Sequence, residues 1–169
     1  SDWFEFRIHL PYRIFQVLAS IKHEYPRANG FRTPGFAAGP CLLKDTMMIE
    51  SGGTGEDKGI CSLSVLTNEG LPAYTVDQLC NLIGGTSSTV PLAGKTVGLL
   101  GMAFKADVDD IRCSLSYKIR KVLLARGATV LCTDPYSLPQ IASGVEYLPL
   151  DEVCLHVLLY STCLPHNLC

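Results

Sequence analysis

The chain carries little charge. Only 18% of its 169 residues are Asp, Glu, Lys or Arg, and 14 basic side chains against 16 acidic ones leave a net charge of −2. A balance so near neutrality supplies no electrostatic footprint for nucleic acid or for an anionic membrane. Long apolar runs are missing too. No stretch approaches the ~20 residues that a spanning helix needs, and the first residues lack the basic-then-apolar order of an export signal. The expectation is a cytoplasmic protein with no nucleic-acid and no membrane partner. Among the eight cysteines no two form a C-x-x-C pair, so neither a metal site nor a thioredoxin-like motif is expected. Their irregular spacing, with some inside apolar runs such as Val130-Leu131-Cys132, reads as free, buried thiols in a reducing compartment. The phosphate-loop pattern G-x-x-x-x-G-K-[ST] is absent. His9, His23, His156 and His166 show no motif tying a general base to a cysteine, which counts against an unrelated thiol enzyme.

What is present describes a globular chain, with 47% of residues hydrophobic, long enough for one ordinary domain or two small ones. Apolar spacing predicts helix either side of Pro11, the second ending near Lys22, and Tyr25 to Gly30 then breaks it. A helix is predicted over 41–50, followed by a glycine-dense loop over 51–59. Helical spacing returns over 62–82, where Pro72 predicts a kink or a break into two pieces. The small, polar, proline-ended segment 84–91 marks the expected domain boundary, giving a helical domain over 1–90 and an α/β domain over 91–169. Beyond it come a strand over 96–100, a helix over 114–125 stopped by Gly127, a strand over 129–133, a short helix over 150–154 and a strand over 157–160. Strand, helix, strand at this spacing predicts a parallel, doubly wound, Rossmann-like sheet with right-handed crossovers.

Two stretches carry candidate chemistry. The first is Gly35-Phe36-Ala37-Ala38-Gly39-Pro40-Cys41-Leu42-Leu43-Lys44-Asp45. Its glycines let backbone approach a ligand, and a cysteine opening a helix faces unpaired N–H groups that favour the thiolate. Asp45 stands one helical turn beyond Cys41, with Lys44 beside it. Cys41 is read either as a nucleophile or as a small buried hydrophobe. The second stretch, Gly101 to Arg112, follows the carboxyl end of a strand, where open α/β sheets bind ligands. With Lys105 and Arg112 it is read either as a diphosphate cradle or as a solvated charged loop whose Asp107, Asp109 and Asp110 cap a helix or pair with the cations.

The first stretch resembles the catalytic-cysteine loop of the UDP-glucose/GDP-mannose dehydrogenase family, the nucleotide-sugar 6-dehydrogenases. Gly98-Leu99-Leu100-Gly101-Met102-Ala103-Phe104-Lys105, Asp109-Asp110-Ile111-Arg112, Ser114 and Thr133-Asp134-Pro135-Tyr136 are similar to that family's UDP-binding domain. The resemblance implies an NAD-dependent oxidoreductase of polysaccharide biosynthesis that takes a sugar C6 alcohol to a carboxylate in two steps. Cys41 would trap the aldehyde as a thiohemiacetal that becomes a thioester, and Asp45 would position or activate the hydrolytic water, with Lys44 beside them. Phe36, Gly35 and Gly39 would wrap the sugar, Phe104 and Lys105 would contact the nucleotide sugar, and Arg112 would reach toward NAD. The resemblance implies a UDP-sugar as substrate and a homodimer formed through the helical segment. Asn68-Glu69-Gly70 also looks family-like and is read as interface or core. Where the family has an acidic residue after that arginine, this chain has Cys113. No counterpart of the family's N-terminal NAD-binding domain is present, so the chain is expected to be the C-terminal half of such an enzyme, inactive alone. The alternative is a non-catalytic nucleotide-sugar-binding or dimerisation module.

Overall fold

The computed structural model describes residues 11–31, 35–52, 59–83, 91–136, 144–156 and 159–162. Two compact units form, Ser1–Gly35 and Phe36–Cys169. In the first, helix α1 (Pro11–Lys22) starts at its proline, as the fixed φ of that residue favours. The break then forms one 3₁₀ element, Pro26–Gly30, around the buried Ala28. The helix expected before Pro11 lies outside the described residues, as do most of the glycine-dense loop, at 53–58, and the expected boundary at 84–90.

The second unit begins with helices α2 (Pro40–Ser51) and α3 (Ile60–Leu82). The Glu50 carboxylate joins them, accepting the backbone N–H of Gly59 and, at 3.3 Å, that of Ser62. A carboxylate there satisfies orphan donors and meets the positive end of the α3 dipole. Of the kink or break expected at Pro72, the break does not occur, for α3 is one helix of 23 residues. Pro72 cannot donate to the Asn68 carbonyl, a defect of about 3 kcal/mol or more. Pro72, Val76 and Cys80, four residues apart on one face, are all buried, and their burial offsets the defect at ~1.5–3 kcal/mol per large apolar side chain.

Three parallel strands follow the helices, β1 (Thr96–Leu100), β2 (Thr129–Thr133) and β3 (Leu159–Thr162), in the order β2-β1-β3. Central β1 is buried from Val97 onward, which is why its sequence is apolar without alternation. Its register pairs Leu99 with Cys132 on one side and with Ser161 on the other. Strand β3 begins two residues later than the apolar run suggests. Helix α4 (Ser116–Ala125) buries Ser116, Ile119 and Leu123, and α5 spans Leu150–His156. Gly127, at φ 88°, ends α4 in a Schellman turn, with Ala128 donating to the Leu123 carbonyl and Gly127 to that of Leu124. One core joins α3 to the sheet, built from Val76, Cys80, Leu92, Leu99, Met102 and Ile119 among others. The expected parallel α/β architecture is what forms.

The cysteine expectation needs correction. Of the six cysteines described, only Cys80 and Cys132 are buried; Cys41, Cys113 and Cys154 are exposed. Cys113 stands on a left-handed turn at φ 55°, and Cys41 and Cys154 lie on helices with little packed over them.

Candidate functional site

Two loops come together in the second unit. One is 36–39, which delivers Cys41; the other is 101–112, which leaves the carboxyl end of β1. Gly39 caps α2 at φ 120°, a conformation open to glycine, and Pro40 occupies the first helical turn. A β-carbon at Gly39 would stand 3.2 Å from Cδ2 and Cε2 of Phe104. The absence of a side chain thus lets the aromatic ring of one loop lie on the backbone of the other. The Lys105 ammonium stands 5.7 Å from the centre of that same ring, within cation–π range.

The 36–39 loop is fastened from α3. The Asn68 side chain accepts the Ala37 N–H at 2.9 Å and donates to the Ala37 carbonyl at 2.6 Å, as a neighbouring strand would. Phe36 lies half buried against the hydrophobic core. Gly35, the last residue of the first unit, is exposed, with open space where a side chain would project.

The second loop is tied down at both ends. The Asp134 carboxylate, just beyond β2, accepts the N–H groups of Met102 (2.6 Å) and Ala103 (3.0 Å), and that of Tyr136 at 2.9 Å. Ser116 donates its hydroxyl to the Gly101 carbonyl at 2.9 Å, and Ser114 donates to that of Ala103 at 3.2 Å. The helix expected from Ser114 starts at Ser116 because the Ser114 hydroxyl also takes the Ser116 N–H, at 3.3 Å. Phe104 N–H closes the loop onto the Asp110 carbonyl at 3.0 Å.

Cys41 is exposed in the first turn of α2, with Asp45 one turn on. Lys44 and Asp45 pair with each other at 3.4 Å, both side chains more than 60% exposed. Arg112 is held by Asp110 through Nε (3.0 and 3.1 Å) and Nη2 (2.7 Å). These hydrogen bonds, then the backbone bond from Arg112, hold the Asp110 carboxyl below its ordinary range. The same bonds, then the Asp110 charge, raise the Arg112 guanidinium, and the sulfurs of Cys41 and Cys113 push it the same way. Asp107 and Asp109 are exposed, and among the described residues Lys105 makes no ion pair.

The structure thus brings Gly39, Cys41, Phe104, Lys105 and Arg112 to one region, with Asp45 and Lys44 following on α2. Sequence reasoning missed Asn68 and Asp134 as the groups that hold the loops. Asn68 did fall in a stretch marked as family-like, and Asp134 in the turn that ends β2, but nothing local showed what either side chain bonds.

Comparison with known proteins decides the family. The model of the UDP-glucose/GDP-mannose dehydrogenase family, UDP binding domain, matches residues 98–162. The chain belongs to the UDP-glucose/GDP-mannose dehydrogenase family. It is 31% identical over 125 residues to a UDP-glucose 6-dehydrogenase of Rickettsia felis, a match covering 71% of this chain and 27% of that protein. The UDP-glucose dehydrogenase of the archaeon Pyrobaculum islandicum superposes with TM-score 0.67 at 30% identity, covering 91% of this chain and 35% of that one. The NDP-N-acetyl-D-galactosaminuronic acid dehydrogenase of Methanosarcina mazei gives TM-score 0.71 at 28% identity, covering 82% and 30%. The chain spans about a quarter of the length of the curated relatives it matches. Among the described residues no His/Cys/Asp/Glu group is arranged to hold a metal, and no helix is long and apolar enough to cross a membrane.

Proposed function

We propose that these residues form the catalytic-cysteine segment and the nucleotide-sugar-binding domain of an NAD-dependent UDP-sugar 6-dehydrogenase. The observation that carries this reading is the seating of the Cys41 loop on the nucleotide loop through Gly39 and Phe104. A substrate diphosphate held near Lys105 would place its sugar toward Cys41, because both loops meet at the Phe104 ring. We assign Phe36, Gly35 and Gly39 to the sugar and Phe104 and Lys105 to the nucleotide side.

Cys41 sulfur would hold C6 between two oxidation levels. Its thiolate adds to the aldehyde carbon, forming the S–C bond of a thiohemiacetal. Loss of a second hydride and the hydroxyl proton from that adduct gives a thioester. Water then adds, the C–S bond breaks, and carboxylate and thiol are released. Asp45, exposed one turn from Cys41, would take a proton from that water, with Lys44 paired beside it. NAD, when bound, supplies the hydride acceptor. This chain fits NAD in one respect, the exposed cation of Arg112, whose Nε and Nη2 are engaged by Asp110.

The 1–90 helical part and the 91–169 UDP-sugar domain are the functional division in this reading. The exposed Met48, Ile49, Ile60, Leu63 and Leu66 support a homodimer through the helical segment. We place the protein in the cytoplasm, where exposed cysteines such as Cys41 and Cys113 stay reduced. One observation favours a non-catalytic binding module instead: α2, which bears Cys41, Lys44 and Asp45, has no buried residue.

Calorimetric titration of UDP and UDP-glucose into the chain, with Lys105→Ala alongside, tests the reading. Saturable binding that weakens at least about tenfold in the variant is expected, the worth of one charge-assisted contact. A cooperatively folded chain that binds neither ligand would overturn it.

A further inference from the structure

Asn68 lies inside α3, where asparagine is a poor choice because its amide competes for backbone groups. It also lies four residues before Pro72, at the one turn where the helix lacks a donor for the preceding carbonyl. Its side chain does not fold back on α3. It spans to Ala37 with two hydrogen bonds, one accepted and one donated. The neighbouring Glu69 carboxylate forms an ion pair with Lys118 of α4, the helix whose Ser116 fastens the nucleotide loop. Adjacent residues of α3 therefore bond the 36–39 loop, through Asn68, and the helix α4 that follows the nucleotide loop, through Glu69.

We propose that Asn68 is a positioning residue for Cys41, fixing the 36–39 loop, whose Gly39 rests on the Phe104 ring, and with it the first turn of α2 that bears the sulfur. The proposal rests on the reading of Cys41 as the nucleophile. A side-chain amide is suited to the task because it offers one donor and one acceptor at the spacing of a backbone peptide. Aspartate keeps the acceptor but sets an oxygen against the Ala37 carbonyl, and alanine removes both bonds.

The test compares wild type, Asn68→Asp and Asn68→Ala without any ligand. Ala37 amide hydrogen exchange and the rate of Cys41 alkylation by iodoacetamide are followed, with buried Cys80 and Cys132 as internal reporters of global opening. In Asn68→Ala, Ala37 exchange should quicken about tenfold, the worth of one net hydrogen bond. Cys41 alkylation at neutral pH should slow by about threefold or more as the loop leading into the first turn of α2 loses its fixed position. Asn68→Asp should shift both in the same direction, and Cys80 and Cys132 should stay unlabelled. Faster Ala37 exchange with an unchanged Cys41 rate would overturn the proposal, as would unchanged exchange. If Asn68→Ala labels its buried thiols, Asn68→Asp decides by the same readouts. A wild-type chain that fails to bind UDP would sink the functional reading while the alkylation comparison still stands.

Discussion

Gly39 and Phe104 meet so closely that a single added carbon on the glycine would press into the ring at 3.2 Å. The φ of 120° at Gly39 adds a second, independent obstacle to any side chain there. Gly39→Ala should therefore destabilise the chain by about 1–3 kcal/mol through backbone strain alone, with further loss from the ring contact. Phe104→Ala would relieve the contact but not the φ. The double variant should fall short of the sum of the single losses, measured by urea unfolding. Strict additivity would mean that the two residues do not touch in solution.

Asp134 holds the nucleotide loop through the backbone N–H groups of the buried residues Met102 and Ala103, and also accepts that of Tyr136 in its own turn. Asp134→Ala should cost about 2–4 kcal/mol, because buried donors left unmet carry their desolvation penalty. Asp134→Asn keeps one acceptor and should cost less. Chemical denaturation of both variants measures this, and a loss below about 0.5 kcal/mol for the alanine form would contradict the anchoring role.

The Asp110–Arg112 pair makes a prediction about acid. The Asp110 pKa is lowered by its bonds to Arg112. A lowered carboxylate contributes stability above its unfolded value and loses that contribution only as pH falls through the folded one. The Asp110 carboxyl resonance should accordingly stay unchanged on acidification from neutrality to the ordinary aspartate range and titrate below it. In Arg112→Ala it should return toward that range.

At the alkaline end, the hydroxyls of Tyr117 and Tyr147 stand 2.5 Å apart. Burial first, then the hydrogen bond to Tyr117, pushes the Tyr147 phenol far above its usual range. A raised acid contributes stability below its unfolded value, about pH 10, and loses it as pH rises beyond. Phenolate absorbance should show Tyr147 silent where exposed tyrosines ionise, its signal appearing only with unfolding. Tyr147→Phe should lessen the alkaline fall in stability.

The sequence by itself determined the elements whose cause is local. Thr96–Leu100 reads as a buried parallel strand because both faces are covered and its residues are apolar in succession, and the shorter apolar run within Thr129–Thr133 reads as a second strand. Helix α4 and its stop at Gly127 followed from apolar spacing and from the positive φ a Schellman turn requires. Cys41 at a helix start, Lys105 and Arg112 were legible as residue types in suggestive places. Only the tertiary structure decided that α3 runs unbroken through Pro72, because the burial that overrides the proline comes from a core built largely by later residues. Only it could place the Phe104 ring on Gly39, Asn68 on Ala37 and Asp134 on Met102 and Ala103. Each of those contacts joins segments far apart along the chain, and a side chain's type announces what it can bond, not which distant backbone the fold will bring to it.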